Sequence, residues 1–107
     1  MSEVNIMLVC SAGMSTSMLV KSMKKEIEKK DLEVNVFAKT STEAIEYAED
    51  EEVNVLLLGP QVSFMESGFN ESLEDKDISI AVIDARDYGM MNGEKILQQA
   101  LDLVNKR

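Results

Sequence analysis

The chain has 107 residues, with 20 Asp and Glu against 11 Lys and Arg, a formal net charge of −9, one cysteine and no histidine. The acidic balance speaks against nucleic acid or an anionic membrane as partner, since both attract clustered Lys and Arg. Without imidazole there is no Ser-His or Cys-His catalysis, no His-ligated metal and no phosphohistidine on this chain, and one thiol rules out internal disulfides and Cys-rich zinc sites. A hydrophobic fraction of 45% beside 29% charged residues is ordinary for a folded protein, and the length predicts a single domain over residues 1–107. The opening Met1-Ser2-Glu3 carries no basic stretch of a signal peptide, and the apolar runs fall far short of a membrane span. The expectation is a cytoplasmic chain whose lone thiol suits a reducing compartment.

Taken in chain order, Val4 to Val9 reads as a first strand. From Ser15 to Lys30, Leu19, Met23 and Ile27 recur at four-residue spacing and predict a helix, with Glu26 and Lys30 at i, i+4 on another face. Glu33 to Ala38 alternates and predicts a second strand, less buried than the first and suited to a sheet edge. Thr40 to Asp50 opens with Thr40-x-x-Glu43, a capping box, and continues with Ala44, Ile45 and Ala48 as a second helix. Val53 to Leu58 holds the continuous run Val55-Leu56-Leu57-Leu58 expected of a strand covered on both faces. Val62, Met65, Phe69 and Leu73 form a third helical stripe, interrupted by Gly68. Ile78 to Ile83 predicts a fourth strand, and Ile96, Leu97, Ala100, Leu101 and Val104 a last helix with Asn92 as N-cap.

Strands alternating with helices pair in parallel through right-handed crossovers. The expected fold is α/β: a four-stranded parallel open sheet of order 2-1-3-4 with helices on both faces, by analogy with flavodoxin-like sheets. Such sheets bind ligands beyond the carboxyl ends of their strands. Three segments fall there, Cys10 to Met14, Gly59-Pro60-Gln61 and Asp84 to Asn92, all expected as loops.

The first holds the only cysteine. In Cys10-Ser11-Ala12-Gly13-Met14-Ser15-Thr16-Ser17 small residues allow successive N–H groups to point inward as an anion-binding nest. The following helix adds unpaired N–H groups and the positive end of its dipole. Ser11, Ser15, Thr16 and Ser17 supply hydroxyl donors, one of them expected as the helix cap. Such donors favour a thiolate, and they suit the oxygens of a phosphoryl group at the sulfur. A lone cysteine after a buried strand is also, in many proteins, simply a small core residue.

The run Leu8 to Val20, centred on that loop, resembles the phosphorylation loop of enzyme IIB of the sugar phosphotransferase system, lactose/cellobiose type. Leu56-Leu57-Leu58-Gly59-Pro60-Gln61 and Tyr88-Gly89-Met90-Met91-Asn92-Gly93 resemble it too, so the likeness spans essentially the whole chain. It implies that Cys10 accepts a phosphoryl group from a phosphohistidine on enzyme IIA. The group then passes to a sugar bound by the membrane enzyme IIC. Ser11, Ala12, Gly13, Met14, Ser15, Thr16 and Ser17 would cradle the phosphate, and no cofactor, metal or protein base is required of this chain. An unfused chain leans towards the cellobiose-like branch. The absent histidine fits a donor imidazole carried by another protein.

The same loop and fold also resemble low-molecular-weight tyrosine phosphatases and arsenate reductases. Those enzymes place an arginine six positions after the cysteine, where this chain has Thr16, and an acid in a later loop, where Asp84 and Asp87 stand. Without that guanidinium a hydrolytic transition state loses a major stabiliser, and the two acids are expected as solvated or capping residues. A third reading is a non-catalytic flavodoxin-like binding module. Met7, Met23 and Met65 are expected in core stripes. Met14, Gln61, Tyr88, Met90 and Met91 are candidate partner contacts, the methionines equally suited to folding back onto the sheet end. Arg86 is expected at the surface, and Glu49-Asp50-Glu51-Glu52 as a solvated helix end.

Overall fold

The computed structural model describes residues 4–10 and 14–105, apart from the side chains of Met14 and Ser15. Its strands are β1 (Val4–Cys10), β2 (Val34–Thr40), β3 (Val55–Leu58) and β4 (Ser79–Val82). The helices are α1 (Met14–Lys29), α2 (Ser41–Asp50), α3 (Glu66–Ser72), α4 (Ala85–Gly89) and α5 (Gly93–Asn105), and a 3-10 segment, Pro60–Met65, precedes α3. All strand pairs are parallel and the order is β2-β1-β3-β4, the four-stranded open sheet expected from the alternating pattern.

Strand periodicity divides the core in two. Ile6, Leu8, Val55 and Leu57 face one side and pack with Leu19, Met23 and Ile27 of α1 and Ile96, Leu97 and Ala100 of α5. Met7, Val9, Leu56 and Leu58 face the other, against Ala44 and Ala48 of α2 and Phe69 of α3. The residues of β3 are fully buried on both faces. β2 is indeed an edge strand and less buried than β1 or β3: Val36 alone is buried, in the first cluster, and Phe37 borders the second.

Three expectations need correction. The stripe Val62 to Leu73 is two segments, because Pro60 starts a 3-10 turn and Val62 leaves helical geometry at φ −117°, ψ 22°. The segment Asp84 to Asn92 is not all loop. Asp84 caps α4 by accepting from the N–H groups of Arg86 and Asp87 at 2.9 and 3.1 Å, the aspartate geometry that starts a helical turn. Lys30 turns to Glu94 of α5 at 3.3 Å, an exposed pair joining two helices, so tertiary packing supplies its partner. The capping box is present, with Glu43 Oε1 accepting from both the Thr40 N–H and the Thr40 hydroxyl. Asn92 caps α5 through the Lys95 N–H at 3.2 Å.

Candidate active site

Register places the cysteine. Cys10 ends β1 opposite Thr40, the last residue of β2, while Val9 stands opposite Leu58 at the end of β3. One step further the Gly59 N–H donates to the Val9 carbonyl at 2.9 Å. Cys10 is thus flanked at the carboxyl edge of the sheet by Thr40 on one side and Gly59 on the other. A β-carbon built on Gly59 would stand 3.7 Å from the Cys10 Cβ and 2.9 Å from Gln61 Oε1. The carboxamide of Gln61 therefore lies back over Gly59.

The sulfur has a partner from the helix that follows. Thr16, the third residue of α1, donates its hydroxyl to Cys10 Sγ at 2.7 Å. Both residues are buried, at 4% and 7% exposure. Thr16 thus meets the sulfur itself from inside the first turn of α1. Because α1 begins at Met14, Ser15, Thr16 and Ser17 lie inside its first turn and none is its N-cap. Ser17 is exposed. Ser11, Ala12 and Gly13 lie outside the described residues, as do the side chains of Met14 and Ser15.

The remaining candidates separate by packing. Gln61 is exposed, and Met90 is 69% exposed. Tyr88 and Met91 are half-buried and pack against the first core cluster. Met91 takes a left-handed φ of 53° in the α4–α5 turn, and its carbonyl accepts from Ser22 Oγ of α1 at 3.4 Å. Gly93 then lies against the α1 backbone: an added β-carbon would clash with Ser22 Oγ and stand 2.8 and 2.9 Å from Ser22 C and Met23 N. Residues 91–93 are thereby held to α1, the helix that supplies Thr16. The sequence offered no sign of this close approach beyond the glycine itself. The adjacency of Thr40 to Cys10 was equally hidden, because parallel register is a relation between distant segments. Met7 and Met23 are buried in the core, and Met65 is half-buried at the second cluster. Arg86 is exposed on α4, and Glu49 to Glu52 are exposed around the end of α2. Among the described residues, no group of three or more Cys, Asp or Glu is placed to hold a metal ion.

A cysteine at the carboxyl end of the first strand, held by a hydroxyl from the next helix in a doubly wound parallel sheet, defines a flavodoxin-like α/β protein with a thiol at its ligand-binding edge. The comparisons carry this to a family. Residues 5–99 match the family described as "PTS system, Lactose/Cellobiose specific IIB subunit", and the chain belongs to that family, a phosphotransferase component of the sugar phosphotransferase system. It is 38% identical over 108 residues to the galactose-specific EIIB component of Lactococcus lactis subsp. cremoris (strain MG1363), covering 98% of this chain and 100% of that one. It is 37% identical over 99 residues to the oligo-beta-mannoside-specific EIIB component of Bacillus subtilis (strain 168), covering 92% and 94%. The solution structure of the cellobiose-specific IIB component from Borrelia burgdorferi superposes with a TM-score of 0.80 at 40% identity, covering 98% and 94%. The fold alone extends to a response regulator from Thermotoga maritima, at a TM-score of 0.67 and 12% identity over 97% of this chain and 99% of that one.

Proposed function

We propose that this protein is a cytoplasmic phosphocarrier, folded as one domain over residues 1–107, which carries a phosphoryl group on Cys10. The observation that carries the reading is the Thr16–Cys10 hydrogen bond, which seats the only thiol of the chain against the first turn of α1. Helix N–H groups and the helix dipole favour an anion there. In the first step the sulfur attacks the phosphorus of a phosphohistidine on enzyme IIA. The S–P bond forms as the N–P bond breaks, and the thiol proton ends on the departing imidazole. In the second step a sugar hydroxyl held by enzyme IIC attacks that phosphorus, the S–P bond breaks and the hydroxyl proton returns to sulfur. Both transfers rest on positioning and charge stabilisation. Ser11, Ala12, Gly13, Met14, Ser15, Thr16 and Ser17 line the phosphate in this reading, with Gln61 and Met90 at the rim.

Thr16 also favours a carrier over a hydrolase. It occupies the position where the phosphatases carry arginine, and it meets the sulfur itself. The sugar is proposed to be a β-linked disaccharide of the cellobiose class, in line with the cellobiose and oligo-beta-mannoside names among the similar proteins, beside a galactose-specific one. The test is transfer from a phosphorylated lactose/cellobiose-type enzyme IIA, read by intact-protein mass spectrometry. One phosphate is expected on the wild type and none on Cys10→Ser; an unmodified wild type, or a phosphorylated serine variant, defeats the reading. Turnover of an aryl phosphate by the protein alone would favour the phosphatase instead.

A further inference from the structure

Four of the chain's 11 Lys and Arg lie on α1, as Lys21, Lys24, Lys25 and Lys29, against two glutamates, in a molecule of net charge −9. The helix buries Thr16, Leu19, Met23 and Ile27, so Met18, Lys21, Lys25 and Lys29, at spacings of three, four and four, line its outward face. All four are exposed, Met18 to 58%. Lys30, by contrast, is turned to Glu94 of α5. The row starts two residues after Thr16, whose hydroxyl holds Cys10, and continues away from it for about 16 Å at 1.5 Å per residue.

We propose that this row is the docking surface for the phosphoryl donor, and that the donor presents an acidic face to it. The inference rests on the phosphocarrier reading and adds the surface that brings the donor in. Lysines lined up along the helix that supplies Thr16, on an otherwise acidic protein, steer a negatively charged partner to that helix and repel it elsewhere. Met18 supplies an adaptable apolar contact at the end nearest the sulfur. An anionic lipid surface fits less well. Glu28 borders the row, Met18 is its one apolar residue, and the charge of −9 opposes approach to such a surface.

The experiment measures kcat/KM for phosphorylation of Cys10 by a purified, phosphorylated lactose/cellobiose-type enzyme IIA, across a salt series. Lys21→Glu and Lys25→Glu are compared with Lys76→Glu, which makes the same change in net charge on the turn before β4. Each α1 reversal is expected to lower kcat/KM on the order of tenfold at low salt and to flatten the salt dependence, while Lys76→Glu stays near wild type. Circular dichroism checks that each variant is folded. Equal loss in all three variants overturns the docking row, as does no loss in any, while Cys10 phosphorylation still upholds the phosphocarrier. Lysine-dependent binding to phosphatidylglycerol vesicles, with donor transfer unchanged in the variants, overturns it in favour of a membrane contact. If the wild type takes no phosphate at all, the phosphocarrier reading itself falls, and this inference with it.

Discussion

The hydroxyl of Thr16 lies 2.7 Å from the sulfur of Cys10, both side chains buried where β1 meets α1. Five residues of chain separate them. A hydroxyl rather than a guanidinium thus meets the thiol. This bond sets the sulfur against the first turn of α1 without placing a charge beside it.

Thr16→Val keeps the shape of the side chain and removes the donor. Phosphorylation of Cys10 by enzyme IIA is expected to slow about tenfold, the value of one hydrogen bond of about 1.4 kcal/mol. Thr16→Ser is expected to retain most of the rate. Rapid-quench kinetics with mass spectrometry checks both, and equal rates in the valine and threonine forms would remove Thr16 from the mechanism.

Gly59→Ala places its methyl in ordinary contact with Cys10 but against the carboxamide of Gln61. A flexible side-chain end can move, so stability is expected within about 0.5 kcal/mol of wild type. The cost falls on the position of Gln61. Gly59→Ala and Gln61→Ala are therefore expected to slow phosphoryl transfer to a similar extent, measured side by side. Unequal effects would dissociate the two residues.

Gly93→Ala meets backbone instead. Its β-carbon would stand within 3 Å of main-chain atoms of Ser22 and Met23, and a helix backbone does not yield as a side chain does. The expected loss is about 1–3 kcal/mol, the usual cost of overpacking, seen as a lower midpoint in urea unfolding. A midpoint matching wild type would mean that α5 can shift away from α1 freely.

The capping box predicts an acid-side effect. The Glu43 carboxyl is held below its ordinary value of 4.5, first by the Thr40 N–H, then by the Thr40 hydroxyl, with desolvation opposing and Lys39 adding least. The folded state therefore releases this proton more readily than the unfolded chain. Its contribution is complete above the ordinary value and is lost as pH falls through the lowered one. Thermal midpoints followed into that acid range are expected to fall more steeply for the wild type than for Glu43→Gln. Parallel curves would show that the box adds nothing.

Much of this protein was legible one residue at a time. Periodicity located β3 because a strand covered on both faces needs apolar residues without a break, and Val55 to Leu58 provide them. The capping residues Thr40 and Asn92 were legible because a cap is a local bond across three residues. α4 escaped because none of its five residues, Ala85–Gly89, is fully buried and they leave no stripe. The break at Val62 escaped because the apolar spacing runs straight across it.

The single cysteine and the missing histidine were features of composition, and they alone determined that any thiol chemistry here runs through Cys10 with no imidazole on the same chain. The sequence also marked the loop, through its run of small residues. Tertiary structure decided what stands beside the thiol. Parallel register brought Thr40 and Gly59 to either side of Cys10, and helix phase turned Thr16 inward to the sulfur while sending Met18, Lys21 and Lys25 outward. These are relations between segments packed on a common core, and they exist only once the sheet has set their distance.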